Sequence, residues 1–197
     1  MRSGGGSCTP EERTPDWVRW RKLGRSHTVT YAGAHRHSSN RPEGAAVAKE
    51  IVRVVAAPSE AVWAVLADGW LYANWVVGAS RVRQVDADWP APGSCIHHSF
   101  GAWPAVVDDT TEVLDSTTEQ SLELSARGWP LGEARVRLGL QPDGPHTEVT
   151  LVEDVVAGPG RLFPKPLRQL AVAPRNTETL QRLALLAEGR YRERLDA

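Results

Sequence analysis

Between residues 80 and 156 the chain is cut into six short strand-like runs by turn signals, and this punctuation limits the fold more than any other feature. The runs are Ser80–Asp86, Ser94–Phe100, Val106–Leu114, Gln120–Arg127, Glu133–Leu140 and Thr147–Val156. The breaks between them read DWPAPG, GAWP, LDSTTEQ, GWPLG and QPDGPH, rich in the residues that set turns. Connections this short favour antiparallel hairpins and a meander. Ahead of the runs, AKEIVRVVA alternates, with Ile51 and Val55 bracketing Arg53, and reads as a strand. APSEAVWAVLADG then reads as a helix. Pro58 takes its first position, Ala61, Val62, Val65 and Leu66 form its apolar stripe, and Gly69 stops it. WLYANWVVG is a second short helix, ended by Gly78. A long helical region, about Pro164 to Arg192, closes the chain. A single sheet needs cover on its apolar face, and only the long helix is large enough to provide it. The predicted fold is α+β: a curved antiparallel sheet grips a long C-terminal helix, two short helices follow the first strand, and a hydrophobic cavity lies between sheet and helix.

Residues 1–46 differ from the rest. They carry eight Lys/Arg against four Asp/Glu, whereas residues 47–197 carry fifteen against twenty. Rich in Gly, Ser, Arg and His and without an extended apolar period, 1–46 reads as a disordered basic tail. Trp17 and Trp20 could dock it, but DWVRWRKLGR is too short to fold alone. Met1 is the only methionine, so a product without the tail would need a non-Met start, with Val47 a candidate. The domain is expected over 47–192, with 193–197 a C-terminal tail. MRSGGGSCTPEER lacks an apolar h-region, so no secretory signal is expected. Cys8 and Cys95 make no disulfide framework, which suits a reducing cytoplasm. A net charge of −1 carries no nucleic-acid signature.

The order of elements resembles the START-like, helix-grip fold of the SRPBCC superfamily, in its bacterial polyketide cyclase/dehydrase-like branch. The resemblance spans about residues 48–190 and rests on IVRVVAAPSEAVWAVLADGWLYANWVVG, WPAPGSCIHHSFGAWP, TEVTLVEDVVAGPG and RNTETLQRLALLAEG. It implies a hydrophobic ligand held inside the grip. The expected cavity residues are Trp75, Ile96, His98, Phe100, Trp103, Leu122, Leu124, Val136, Leu138, Val149, Leu151, Glu153, Phe163, Leu167 and Leu170.

The stretch GSCIHHSFGAWP holds two adjacent histidines. Successive strand residues face opposite ways, so His97 and His98 cannot share an ion without a bulge. Cys95, His97 and Ser99 fall on one face; Ile96, His98 and Phe100 fall on the other, more apolar one. His98 is therefore assigned to the cavity and His97 to the outside. Cys95 and His97 supply two zinc ligands where a structural site needs four, so no metal is expected. His98 is either a half-buried, hydrogen-bonded histidine or a polar anchor or acid–base group for a ligand.

Glu153 falls in phase with Val149, Leu151 and Val155 on the last run and should point inward. A buried carboxylate needs a partner, and Arg175 or His98 could provide it. The pair would either tie sheet to helix or act on a ligand, making His98 and Glu153 the catalytic candidates. Glu112 is ambiguous, sharing a face with Thr110 and Leu114. Trp63 reads as core, Trp70, Trp75 and Trp103 as a cavity mouth, and Trp89 and Trp129 as turn pins ahead of prolines. In the long helix, the stripe Leu167, Leu170, Ala171 is out of phase with Leu180, Leu183, Ala184, Ala187. Pro174 lies between them and should kink the helix or begin a new one. The ligand-facing part is expected at about Phe163 to Thr177.

No phosphate loop, nucleophile elbow or zincin motif is present, and GPG at 158–160 fits no dinucleotide pattern. No cofactor is expected. The main expectation is a carrier or sensor of a hydrophobic small molecule, such as a lipid, polyketide or isoprenoid. The alternatives are a polyketide cyclase, aromatase or dehydratase using cavity His and Glu, and a protein-interaction module without a ligand. The domain is expected not to bind nucleic acid or insert stably in membranes, and to be a monomer or weak homodimer.

Overall fold

The computed structural model describes residues 50–128, 132–158 and 165–197. Strand β1 (Glu50–Val55) leads into helix α1 (Ser59–Leu66), a 3-10 turn (Gly69–Leu71) and the one-turn helix α2 (Tyr72–Trp75). Six strands follow: β2 (Ala79–Val85), β3 (Cys95–Ala102), β4 (Ala105–Thr117), β5 (Ser121–Gly128), β6 (Gly132–Asp143) and β7 (His146–Ala157). Helix α3 (Lys165–Leu195) ends the chain. The six expected strand runs and both short helices are present, with ends shifted by one to three residues.

All strands join one antiparallel sheet in the order β1-β7-β6-β5-β4-β3-β2. The meander runs from β2 to β7, and β1 lies along β7 with Glu50 opposite Val152 and Val55 opposite Thr147. Register shifts interrupt β2, β4 at Val113/Asp115 and β6 at Glu133/Ala134. Such bulges increase strand twist and bend, and here they accompany the curvature of the sheet around α3.

The helix meets the sheet through the stripe read from the sequence: Leu180, Leu183, Ala184 and Ala187 are all 0–1% exposed. Against them lie Val55 of β1, Val62, Val65 and Leu66 of α1, and Leu122, Leu138, Val149 and Leu151 of the sheet, in one apolar cluster. Burying each leucine contributes about 1.5–3 kcal/mol. Polar ties fix the same end. Glu188 accepts from the Ala56 backbone N–H at 3.0 Å, and Arg190 reaches Asp68 at 3.4 Å. Trp89 does pin its turn, donating from Nε1 to the Leu66 carbonyl at 3.1 Å.

Helix α3 is one helix with Pro174 inside it, so no new helix begins there. The proline removes one N–H from the ladder. Beside it, the Thr177 hydroxyl donates to the Ala173 carbonyl at 2.9 Å. Leu167 and Leu170 belong to this helix, but their side chains lie outside the described residues, as do Phe163 and Trp129. Among the described residues no helix is long and apolar enough to cross a membrane.

Candidate functional site: a cavity under the proline end of the long helix

The inner face of the sheet changes character along its strands. On β7, Val149 and Leu151 are 0–1% exposed, and the next inward positions are Glu153 and Val155. On β5, Leu122 and Leu124 give way to Ala126; on β6, Leu138 and Val136 give way to Ala134. Ala126 and Ala134 are directly opposed. Where two leucine-sized side chains would fill the grip, two methyl groups leave it hollow.

The hollow is a partly enclosed cavity of about 170 Å³. The sheet contributes His98, Phe100, Leu124, Ala126, Val136, Leu151, Glu153 and Val155; α2 and its end contribute Tyr72, Trp75 and Val76; α3 contributes Arg175, Asn176 and Thr179. Phe100 is seated by Gly78, whose φ is +102° and where a Cβ would stand 2.4 Å from the Phe100 ring. The Gly101 N–H donates to the Gly78 carbonyl at 2.8 Å and locks that contact.

Seven of the expected cavity residues come together there: Trp75, His98, Phe100, Leu124, Val136, Leu151 and Glu153. Ile96, Leu122, Leu138 and Val149 lie in the close-packed cluster instead and do not line the cavity. Trp103 is the clear departure. It is 89% exposed on the turn between β3 and β4, and Trp70 is 60% exposed. Glu112 is not on the wall either; its neighbours Thr111 and Val113 are the inward residues, at 0% and 1% exposed.

The histidine pair divides as the alternation requires. His98 is 2% exposed at the cavity, while His97 meets the Thr110 hydroxyl at 3.3 Å. Among the described residues no cluster of three His, Cys, Asp or Glu is placed to hold a metal. Cys95 is fully buried and disulfide-bonded. The reading of unoxidised cysteines is corrected on this point, and Cys95 lends no support to a reducing compartment.

Three polar features mark the cavity. First, Thr111 Oγ1 joins Tyr72 Oη at 2.9 Å to His98 Nε2 at 3.0 Å, and the Tyr72 and His98 rings lie 5.0 Å apart. Burial pushes the Tyr72 phenol up to about 12 and the His98 imidazole down to about 4, the latter against the opposing pull of the Ser99 backbone. Both are neutral at pH 7. Second, Glu153, with its side chain 7% exposed, pairs with Arg175, which also reaches the Asn176 amide oxygen at 3.4 Å. Of the two partners open to Glu153 in the sequence, the fold supplies the arginine. Third, Arg127 and Glu133 also line the cavity, and the Ser125 hydroxyl donates to Glu133 at 2.7 Å. Asp109 is not on the wall; it stands opposite His98 in the register, burial raises its carboxyl pKa, and its Oδ1 accepts from the Thr110 N–H at 2.8 Å.

Tyr72, Thr111, Asn176 and Thr179 are among the wall and network residues not read from the sequence, with Arg127 and Glu133. Asn176 precedes Leu180 by one turn and Thr179 precedes Leu183 by one turn, so the buried stripe carried backwards would have found both. Tyr72 sits in a helix of four residues, too short to show a period.

No protein of curated function is matched by the sequence. Several solved structures share the fold. A protein from Nitrosomonas europaea aligns with a TM-score of 0.59 at 20% identity over 76% of this chain and 99% of its own. The Zhui aromatase/cyclase from Streptomyces sp. R1128 aligns with 0.57 at 19% identity over 72% of this chain and 93% of its own. The di-domain ARO/CYC StfQ of the steffimycin biosynthetic pathway aligns with 0.60 at 9% identity, this chain covering 52% of it. The family described as polyketide cyclase / dehydrase and lipid transport matches residues 46–188. A match across most of the chain, on a sheet that grips a helix over a hollow, places this protein in the polyketide cyclase/dehydrase-like family of the SRPBCC superfamily.

Proposed function

We propose that the domain takes up a hydrophobic small molecule, of lipid, polyketide or isoprenoid type, as its carrier or sensor. The observation that carries this reading is the hollow itself, walled mainly by Trp75, Phe100, Leu124, Val136, Leu151 and Val155. Its volume of about 170 Å³ is below the ~300–1,000 Å³ of drug-sized pockets, so the part held there is one or two rings, or a short chain. Tyr72 and His98 are uncharged, and the Arg175 guanidinium is engaged by Glu153. With Arg127 and Glu133 also on the wall, these groups suit a mainly apolar ligand with a polar end.

One observation favours a second reading, transformation of a polyketide-like molecule. A phenol and an imidazole share the cavity wall and are linked through one hydroxyl. That arrangement can hold and pass a proton. The described relatives include aromatase/cyclases, which fits either reading at the level of ligand class.

The test is uptake of an apolar fluorescent probe, followed by quenching of tryptophan emission through Trp75. Leu151→Trp should fill the space and block uptake at a stability cost of about 1–3 kcal/mol, without unfolding the domain. Undiminished uptake by a folded Leu151→Trp protein would place the ligand elsewhere. Native mass spectrometry of protein from its own host would identify what co-purifies.

A further inference from the structure

Two tryptophan–proline pairs stand in hairpin connections at opposite ends of β3, and the fold treats them oppositely. Trp89, between β2 and β3, is 9% exposed, and its indole N–H is satisfied by the Leu66 carbonyl. Trp103, between β3 and β4, is 89% exposed, and among the described residues its indole N–H has no hydrogen-bond partner. Pro104, Ala105 and Val106 beside it are exposed as well. Phe100, just ahead of Trp103, lines the cavity, so this tip belongs to the cavity end of the sheet. The strand carries it about 10 Å beyond Phe100.

The tip is held in place by its ladder. Ala102 pairs with Ala105 and Gly101 with Val106, so only Trp103 and Pro104 form the turn. The Gly101 N–H ties it to the Gly78 carbonyl at 2.8 Å, and a Cβ at Gly101 would collide with the Ala105 carbonyl. Little conformational freedom is left to lose on binding. The surroundings carry no charge: residues 69–80 and 93–107, the two segments that meet at Gly78 and Gly101, contain no Asp, Glu, Lys or Arg. Asp108, the first acid past the tip, pairs with Arg83 at 3.4 Å. Helix α3 enters from the same end, since its Arg175 and Asn176 line the cavity and its packed stripe comes later. It carries Lys165 and Arg168 at its start and no acid before Glu178. At the other end of the sheet the connections carry Asp86, Asp88, Glu119 and Asp143.

We propose that the tip from Trp103 to Val106 docks the domain, shallowly and reversibly, on the surface of an anionic phospholipid bilayer, with the cavity end towards the lipid. An indole has an apolar body and one polar N–H, which suits the headgroup level of a bilayer. The tip is convex and uncharged, a shape that presses into a deformable surface. The cationic start of α3 is drawn to anionic headgroups, while the acidic connections at the far end are repelled by them. The charge distribution therefore orients the domain tip first. One tryptophan with three small neighbours buries too little apolar surface for permanent anchoring, which keeps the contact reversible. Docking goes beyond the uptake of a ligand and does not depend on it; it brings the cavity to the phase in which apolar molecules dissolve.

Flotation of the full chain with lipid vesicles tests it. Vesicles of phosphatidylcholine mixed with phosphatidylglycerol should carry the protein, and vesicles of phosphatidylcholine alone should carry less. Trp103→Ala should weaken binding about tenfold or more with the thermal unfolding midpoint unchanged, and Trp103→Phe should retain part of the binding. Brominated acyl chains should quench the tryptophan emission of the wild type more than that of Trp103→Phe. Leu151→Trp, which fills the cavity, should float like the wild type, so loss of docking and loss of ligand uptake are told apart. Failure to float with either vesicle overturns the proposal. Binding indifferent to Trp103→Ala also overturns it and assigns the lipid contact to another segment, such as the basic residues 1–46. Equal binding to both vesicles overturns the anionic preference. A dimer in analytical ultracentrifugation that Trp103→Ala abolishes gives the tip to a second copy of this chain and overturns the bilayer as its partner.

Discussion

The two ends of helix α3 face the same sheet and treat it differently. Around Leu180–Ala187 the helix joins one cluster of buried apolar side chains from α1 and the strands β1, β5, β6 and β7. Around Arg175–Thr179 it faces alanines, two neutral hydrogen-bonding rings and a carboxylate, with a hollow between. One strand serves both ends: β7 gives Val149 to the packed end and, from Leu151 on, lines the hollow one. Two residues along a strand, about 7 Å, separate close packing from an open wall. The fold thus keeps close packing and open space in one layer by dividing them along the strand axis.

The division can be broken most directly by truncation. Leu183→Ala at the packed end should cost about 2–5 kcal/mol. Val155→Ala at the hollow end should cost under ~1 kcal/mol, because the removed atoms already border empty space. Urea unfolding of both variants measures the contrast, and equal losses would mean that the cavity wall is as tightly packed as the core.

Acid acts selectively on the hollow end. His98 has a folded-state pKa near 4 and an ordinary value of 6.5. Between those values the unfolded chain binds the extra proton, so stability falls as pH drops from about 6.5 to 4 and this contribution is fully present above 6.5. The loss is on the order of 3 kcal/mol. His98→Gln should flatten that slope in unfolding measured at pH 7 and pH 4.5. Asp109, whose pKa is raised, works in the opposite sense near its own titration range. A slope unchanged by His98→Gln would mean that the imidazole is solvated.

Breaking the ion pair sharpens the comparison further. Arg175→Met leaves the Glu153 carboxylate nearly buried without its guanidinium and should cost about 1–3 kcal/mol at pH 7. Adding Glu153→Gln should recover most of the loss. The smallest effect is expected at the proline. Pro174→Ala restores a helix N–H, yet it should gain under ~1 kcal/mol rather than the ~3 kcal/mol of an isolated helix. It should instead alter probe uptake, through Arg175 and Asn176 next to it. A large gain with unchanged uptake would separate the proline from the cavity.

What the sequence reveals follows the same division. Strands, their order and the packed stripe of α3 were readable because apolar and polar positions alternate cleanly there. The split of His97 from His98 came from that alternation alone. Thr111 was not readable: in VDDTTEV, Asp, Thr and Glu occupy both faces, so no contrast marks the inner one. Ile96, Leu122, Leu138 and Val149 were expected to line the cavity; they lie in the packed cluster instead, because alternation carries no information on where along the strand packing gives way to space. Trp103 was placed by chemistry, as an aromatic suited to a cavity mouth. Gly101, at φ +104°, turns the chain just before it and leaves its ring in solvent.

The pairing of β1 with β7 has a consequence for synthesis. Glu50 meets Val152 about a hundred residues later, and the stripe at Leu180–Ala187 that covers the core is later still. A chain emerging from the ribosome can zip the β2–β7 hairpins in order, but its first strand waits with Val52 and Val54 unpaired until nearly the whole domain has been made. Contacts of such long range close slowly. The interval before the last helix arrives is when the nascent sheet is open to association with other chains.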